Sequence, residues 1–330
     1  MTTYPVNTCY LGIDIGGTKC AVVLGVLTDT SAILVAKRRF PTPNTPVATL
    51  EQSMLAGEEL LRTCDGRRLV AVGISCGGPL DSQRGLILSP PNLSGWDTVD
   101  VVTPFREQFG VPVFLQNDAN AGALAEWRWG AGRGCQTLIF LTFGTGLGAG
   151  LILDGHLYGG CNGLAGEVGH LRLTAEGPIG YGKAGSFEGW CSGSGISQLA
   201  RSIANEHLIC GTPTSYCPTA ATLDQVTAET VGQAALEGDP VARELWFIVG
   251  QRLGQGIAML IDLLNPERII LGSIYLRQQT LLEPAMVAAM GLEALPRALE
   301  HCQILPAGLG EQVGDYASLA VAAQASTGVR

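Results

Sequence analysis

The chain has 330 residues with 29 acidic against 20 basic side chains, a net charge of −9 that has the wrong sign for general nucleic-acid binding. Hydrophobic residues make up 46% and charged residues 15%, and the length exceeds what one core usually serves, so two well-packed lobes are expected. No Lys/Arg run, no basic-then-apolar leader and no apolar stretch of the ~18 residues that a span needs is visible, and the ten cysteines lack a CxxC pair and read as buried thiols in a reducing compartment; the expectation is a cytoplasmic protein with neither nucleic-acid nor membrane partners.

Tyr10 to Ile15 reads as an apolar strand, followed by Gly16-Gly17-Thr18-Lys19 and a second apolar run, Ala21 to Leu27. Thr28-Asp29 supplies a turn and Ile33 to Phe40 a third strand. A glycine-rich hairpin turn lets backbone amides approach a phosphate, because glycine lacks a Cβ. The GxxxxGK[ST] spacing of a Walker loop is absent, and a plain hairpin turn remains the bland alternative. Thr45 to Arg62 is predicted helical, Leu69 to Ser75 a buried strand, and Gly77-Gly78-Pro79 a tight turn with amides available to a ligand. After a short strand, Gly85 to Ser89, the loop Pro90 to Trp96 carries the Asn92 amide and a large aromatic, a pairing that suits a sugar but is also common in ordinary loops. Thr103-Pro104 opens a short helix that Gly110 ends.

Val111 to Trp129 is the stretch around which the chain is organised. A strand ending at Leu115 gives way, at Asn117-Asp118, to a helix of Ala, Leu and Glu from Ala119. Open α/β sheets place working side chains at such carboxyl ends, although Asp118 would also serve as an ordinary N-cap. Thr137 to Thr142 is a further strand, then Phe143, the loop Gly144 to Gly150 (GTGLGAG), and a strand from Leu151 to Leu153. Strand, Gly-Thr loop and strand thus occur twice, at 10–27 and 137–153, which reads as an internal duplication of architecture. The last third is scaffold: a helix at 227–237, a long helix opened by Asp239-Pro240 and running to Leu264, a strand at 268–271, further helices, a strand at 303–305, and a closing helix from Tyr316.

Taken in order, Asp14-Ile15-Gly16-Gly17-Thr18-Lys19, Pro91-Asn92-Leu93, Asn117-Asp118, GTGLGAG, Gly166-Glu167-Val168-Gly169-His170, Glu188 with Ser192-Gly193, and Asn265 to Gly272 resemble the ROK family of sugar kinases (repressors, open reading frames, kinases). The resemblance covers residues 10 to about 320. It implies a two-lobed actin/hexokinase-like (ribonuclease H-like) α/β ATPase fold with a duplicated sheet. The first lobe would be 1–118, joined by the closing helix at about 306–330, and the second 119–305, with the active site in the cleft between them. It also implies transfer of the γ-phosphate of ATP to a hexose, glucose first. Asp118 would be the general base, and Asp14 would hold hydrated Mg2+. Gly16, Gly17, Thr18, Lys19, Thr145 and Gly146 would line the phosphates, with Gly272 near the adenosine. Gly78, Asn92, Asn117, Asp118, Glu167, His170 and Glu188 would hold the sugar. Read alone, Glu167, His170, Glu188 and Lys19 have bland explanations as surface or capping groups; only the ordered set reverses them.

Other readings stand beside this one. They are an N-acetylhexosamine kinase (N-acetylglucosamine or N-acetylmannosamine), a sugar-sensing ROK regulator without its DNA-binding domain, and an actin-like ATPase of chaperone type. Nine residues precede the first strand, against roughly sixty or more for a helix-turn-helix, so a repressor is not expected. A homodimer is the expected assembly. Two departures from the family pattern stand out. Its zinc cluster, CxCGxxGCxE, falls on Ile179, Tyr181 and Ser186, so no structural zinc is expected and Ile179, Tyr181, Phe187 and Trp190 are predicted to form an apolar cluster instead, which leaves His170 to donate to a sugar hydroxyl. Gly272-Ser273 stands where many members carry Gly-Gly.

Overall fold

The computed structural model describes residues 7–28, 30–64 and 66–326. Its strands in chain order are β1 (Thr8–Ile15), β2 (Lys19–Leu27), β3 (Ala32–Pro41), β4 (Arg68–Cys76), β5 (Leu80–Asp81), β6 (Leu86–Ile87), β7 (Val99–Asp100), β8 (Val113–Asn117), β9 (Leu138–Phe143), β10 (Leu147–Leu153), β11 (His156–Leu157), β12 (Ile179–Gly180), β13 (Lys183–Ala184), β14 (Arg268–Leu271) and β15 (Gln303–Pro306). The helices are α1 (Pro46–Arg62), α2 (Val102–Phe109), α3 (Asp118–Trp129), α4 (Phe187–Cys191), α5 (Gly193–Ile209), α6 (Ala228–Glu237), α7 (Pro240–Leu264), α8 (Ile274–Glu293), α9 (Pro296–Leu299) and α10 (Val313–Ala322). By contact the chain divides into two units: 1–136 with 150–165 and 307–330, and 137–149 with 166–306. Helix α3 therefore belongs to the first unit. Asp29 lies outside the described residues; the turn expected there is closed by Thr28, whose N–H donates to the Ser31 carbonyl at 2.8 Å.

The first unit is built on a five-stranded sheet of order β3-β2-β1-β4-β8. β1, β2 and β3 run antiparallel, whereas β4 and β8 lie parallel to β1. Alternation divides β1 between two faces. Leu11, Ile13 and Ile15 join Leu50, Leu60, Trp96 and Phe105 on one side, and Tyr10 joins Leu319 and Ala322 on the other. Each such buried leucine, isoleucine or phenylalanine contributes about 1.5–3 kcal/mol. Helix α10 approaches the sheet closely because two strand positions lack a side chain. A Cβ on Gly12 would lie 2.3 Å from Ser318 Oγ, and one on Gly73 would lie 2.2 Å from the Ser318 carbonyl oxygen.

The second sheet has the order β11-β10-β9-β14-β15, with β14 parallel to both β9 and β15. Written by chain position, both sheets read third, second, first, fourth, fifth, which is the duplication anticipated from the two Gly-Thr loops. Helix α7 packs along α8, where a Cβ on Gly254 would lie 2.4 Å from the Met286 carbonyl oxygen. By length and composition α7 could cross a membrane, with a mean hydropathy of 1.3, an exception to the expectation that no stretch is so apolar. Its Leu245, Trp246, Val249, Leu253, Ile257 and Ile261 are fully buried, as in a core helix. The 17-residue helix α5 has no counterpart among the predicted elements. Its opening Gly-Ser-Gly reads as a loop, yet Ser192 caps it by accepting from Gly195 N at 3.0 Å.

Candidate functional site

In the first unit, three parallel strands end in register: Ile15 of β1 pairs with Cys76 of β4, and Cys76 with Asn117 of β8. Whatever follows these residues emerges at one edge of the sheet. Gly16 to Lys19, Gly77-Gly78 and Asn117-Asp118 are therefore brought together, with the backbones of Asp14 and Asp118 two strand spacings apart, on the order of 10 Å. Helix α10 starts at the same edge, since a Cβ on Gly314 would lie 3.5 Å from Asp14 Oδ2. Burial pushes the Asp14 carboxyl up to about 7, and the charges of Asp118 and Asp315 act in the same direction, against Lys37 and Lys19. Lys37 Nζ donates to both oxygens of Asp315.

The Gly16–Lys19 turn is tied from both sides. Gly16 N donates to the Lys19 carbonyl at 3.2 Å, and Thr42 N donates to the Thr18 carbonyl at 3.1 Å. Thr42 Oγ1 also donates to the Gly16 carbonyl at 2.6 Å. Gly17 packs on the Pro90–Trp96 loop so closely that a Cβ would lie 2.4 Å from the Asn92 carbonyl oxygen. Gly17, Thr18, Lys19 and Asn92 are exposed, and Gly78 is half-buried. The aromatic of that loop is not available to a ligand: Trp96 is 1% exposed and belongs to the core, which corrects the reading of Asn92 and Trp96 as a pair.

Asn117, not Asp118, caps α3. Its Oδ1 accepts from Asn120 N at 2.7 Å. Asp118 stands exposed in the first helical turn, its Oδ1 accepting from Ala119 N at 2.9 Å. At the other end of α3, buried Glu126 accepts from Ala131 N, Gly308 N and Leu309 N at 2.7–3.0 Å.

In the second unit, Gly144 N donates to the Gly146 carbonyl at 3.1 Å, closing the turn that opens β10. The start of α5 grips the same turn: Gly193 N donates to the Gly144 carbonyl at 2.7 Å, and Ser194 Oγ to the Thr145 carbonyl at 3.0 Å. Thr145 and Gly146 are exposed. Gly272 follows β14 beside the end of β9, its N–H donating to Leu141 O at 3.0 Å. Ser273 sits at φ 46°, ψ −105°, backbone that glycine adopts without cost, so the chain keeps the shape of a Gly-Gly pair although the residue differs. Glu188 Oε2 accepts from Leu147 N at 3.1 Å and lies 2.9 Å from where a Gly146 Cβ would stand. Helix α4, which carries Glu188, is fixed by Phe187, whose ring fills the space left by Gly256; a Cβ there would lie 2.3 Å from it. Glu167 is exposed, and His170 closes the 3-10 turn Val168–His170 half-buried.

The segment where the family pattern places zinc ligands is a two-residue hairpin, β12 to β13, turning at Tyr181-Gly182. The predicted apolar cluster does not form as a unit. Phe187 and Trp190 are buried, but Ile179 is 53% and Tyr181 63% exposed. The turn geometry is the reason: with φ 46° at Tyr181 and 75° at Gly182, it is of the type I′ kind and directs its first side chain outward. Trp190 is instead held by its Nε1 donating to Thr174 Oγ1 at 2.8 Å and by the Arg252 guanidinium 5.1 Å from its ring. Ser186 Oγ caps α4, accepting from Gly189 N at 3.0 Å. An isoleucine, a tyrosine and a capping serine do not fit Zn2+, and among the described residues no three His, Cys, Asp or Glu side chains gather to hold a metal. Of the ten cysteines, Cys161 and Cys210 are exposed, against the expectation of burial, and the remainder are buried.

Sequence reasoning missed Lys37, Asp315 and Glu126, none of which lies in a local motif. It also missed the contact between Tyr181 and His170, whose ring centroids are 5.0 Å apart at 74°.

Two sheets of one topology, each with a Gly-Thr turn between its first two strands, define the duplicated α/β fold of the actin-like ATPases. Within that class the chain belongs to the ROK family, whose profile matches residues 10–325. It is 34% identical over 272 residues to a glucokinase of Streptomyces coelicolor, covering 79% of this chain and 80% of that protein. A crystal structure of a ROK family glucokinase from Streptomyces griseus, in complex with glucose and AMPPNP, superposes with a TM-score of 0.77 at 29% identity, covering 96% of this chain and 99% of that one. Regulators are relatives too: the DNA-binding transcriptional dual regulator NagC of Escherichia coli is 28% identical over 86% of this chain and 68% of its own length.

Proposed function

We propose that the chain is an ATP-dependent hexose kinase, with glucose the first substrate to test. One observation carries the reading: Asn117 supplies the α3 cap, and Asp118, the next residue, presents an exposed carboxylate at the start of α3, just past the carboxyl end of β8. The similarity to glucokinases, one of them solved with glucose and an ATP analogue, supports it. In this mechanism Asp118 takes the proton from the attacking sugar hydroxyl, a contribution of about 10²–10⁴-fold. The remainder is placement and charge neutralisation. The second substrate is MgATP, whose Mg2+ offsets phosphate charge. Asp14 would hold the hydrated cation, a carboxylate donor that suits a hard divalent ion. For phosphate oxygens the first unit offers the amides and side chains of Gly16 to Lys19; the second offers Thr145 and Gly146, with Gly272 as its candidate contact to adenosine. For the sugar hydroxyls the first unit offers Asn92, Asn117 and the Gly78 backbone, and the second offers Glu167, His170 and Glu188, the last oriented through Leu147 N.

The relationship to NagC favours a second reading, a sugar-responsive regulator body that binds sugar without turning it over. Sugar-dependent ADP production separates the two, measured across glucose, mannose, N-acetylglucosamine and N-acetylmannosamine. A kinase gives turnover with at least one of them that Asp118→Asn removes. Sugar binding by calorimetry with no ADP formed on any of them overturns the kinase reading.

A further inference from the structure

The hairpin β12–β13 places a tyrosine where its backbone is strained. Type I′ turns favour Asn-Gly because both central residues need positive φ. Here Gly182 satisfies its position, but Tyr181 holds φ 46° with a bulky side chain, an arrangement that costs of order 1–3 kcal/mol. The strain has a visible consequence. The Tyr181 ring meets His170 edge-on, with centroids 5.0 Å apart at 74°. From the other side of the same turn, Lys183 Nζ donates to the His170 carbonyl at 2.7 Å. Both groups on one hairpin therefore hold one residue, by its ring and by its backbone. The hairpin is itself fixed to the chain just after His170, through Arg172 Nη1 donating to the Ala184 carbonyl at 2.8 Å and a bridge between Arg172 and Ser186.

We infer that this hairpin is a metal-free clamp that sets the orientation of the His170 imidazole for sugar recognition, with Tyr181 as its positioning residue. The inference rests on the kinase reading for the identity of the sugar, and on geometry alone for the clamp. Tyr181 occupies a position where the family pattern has a zinc ligand, and a ring edge does for the imidazole what a metal bond would do: it removes rotational freedom about the ring's bond. An imidazole fixed before the sugar arrives does not lose that freedom on binding. Because the contact is made by the ring, its strength does not depend on the phenol hydroxyl.

Strain and function then separate in a way that a purely structural residue does not allow. Tyr181→Asn gives the turn its preferred residue and removes the ring, so the thermal midpoint should stay or rise while hexose affinity falls. The expected effect is a hexose KM raised about tenfold, the worth of one well-aligned hydrogen bond. The ATP KM and kcat should stay within about twofold, because the ring packs on His170, which takes part in sugar binding and not in proton transfer or nucleotide binding. Tyr181→Phe should match the parent protein. With four histidines in the chain, imidazole NMR resolves the His170 signals, identified by their loss in His170→Gln, and these should shift in Tyr181→Asn but not in Tyr181→Phe. An unchanged hexose KM and unchanged His170 signals in Tyr181→Asn overturn the clamp, as does stoichiometric zinc in the purified protein. Hexose Kd by calorimetry is measured alongside. If the parent makes no ADP with any sugar, the kinase reading fails, and a weakened Kd in Tyr181→Asn still supports the clamp while an unchanged one overturns it.

Discussion

Lys37 Nζ donates to both oxygens of Asp315, at 2.6 and 2.5 Å, across 278 positions of sequence. The side chains are 28% and 10% exposed, so the pair is only partly screened by water. Both charges act on the Asp14 carboxyl, Asp315 raising its pKa and Lys37 lowering it, so the pairing sets how strongly each is felt there. Surface ion pairs contribute little, but a two-oxygen contact with one partner nearly buried is of another kind.

A double-mutant cycle with Lys37→Met and Asp315→Asn, read by urea denaturation, should give a coupling free energy of about 1–3 kcal/mol. Additive losses, within about 0.5 kcal/mol, would mean that the pair contributes nothing of its own.

Asn117 and Asp118 are neighbours with separable jobs. Asn117→Ala removes the α3 cap and should lower stability by about 1 kcal/mol. Asp118→Asn keeps size and hydrogen-bonding shape, so the melting temperature and sugar Kd should hold while kcat drops by about 10²–10⁴-fold. Retention of more than a few per cent of kcat in Asp118→Asn would remove the general-base assignment.

What could be read beforehand was written locally. A strand, a glycine pair and a Thr-Lys announce the first loop, and a strand with the same Gly-Thr step announces its copy at Gly144. Register then did the rest, because β1, β4 and β8 end together. What escaped depends on contacts between distant residues. Lys37 with Asp315, and Glu126 with Gly308, are 278 and 182 positions apart and obey no spacing rule. Tyr181 escaped for another reason: a tyrosine at the first position of a type I′ turn contradicts the residue preference by which such turns are recognised. Helix α5 was hidden by a Gly-Ser-Gly start that reads as loop until Ser192 is seen capping it. Trp96 was an aromatic beside an amide, and nothing local says that it faces the core.

Ser273 holds a backbone conformation in which a side chain is strained, φ 46° and ψ −105°. Ser273→Gly should relieve about 1–3 kcal/mol of strain, offset by roughly 0.5–1 kcal/mol of added unfolded-chain entropy. The net expectation is a gain of about 1 kcal/mol in unfolding free energy, read by urea denaturation, with the ATP KM preserved. A loss of stability would show that the serine side chain makes a contact worth more than the strain.

Glu126 is fully buried, and its carboxylate accepts three backbone N–H groups: Ala131 at 2.7 Å, Gly308 at 3.0 Å and Leu309 at 2.9 Å. It closes the end of α3 and ties it to the segment that leads into α10, so the two helices bearing Asp118 and Asp315 are fixed through one side chain. Two carboxylate oxygens divide the work, Oε1 taking Leu309 and Oε2 taking Ala131 and Gly308. Glu126→Gln retains the volume but turns one oxygen into an NH2 that faces N–H donors, leaving at least one buried amide without an acceptor. An unsatisfied buried donor costs about 1–3 kcal/mol, and more where the lost acceptor was charged, so a loss of roughly 2–4 kcal/mol is expected. Gly130→Ala approaches the same latch from outside, since a Cβ there would lie 2.1 Å from Glu126 Oε2 and must displace it. Both variants should lower the urea midpoint, and combining them should cost less than the sum, because the second change acts on a contact that the first has already broken. If Glu126→Gln unfolds at the parent's urea concentration, the latch is not what holds the end of α3 to the chain before α10.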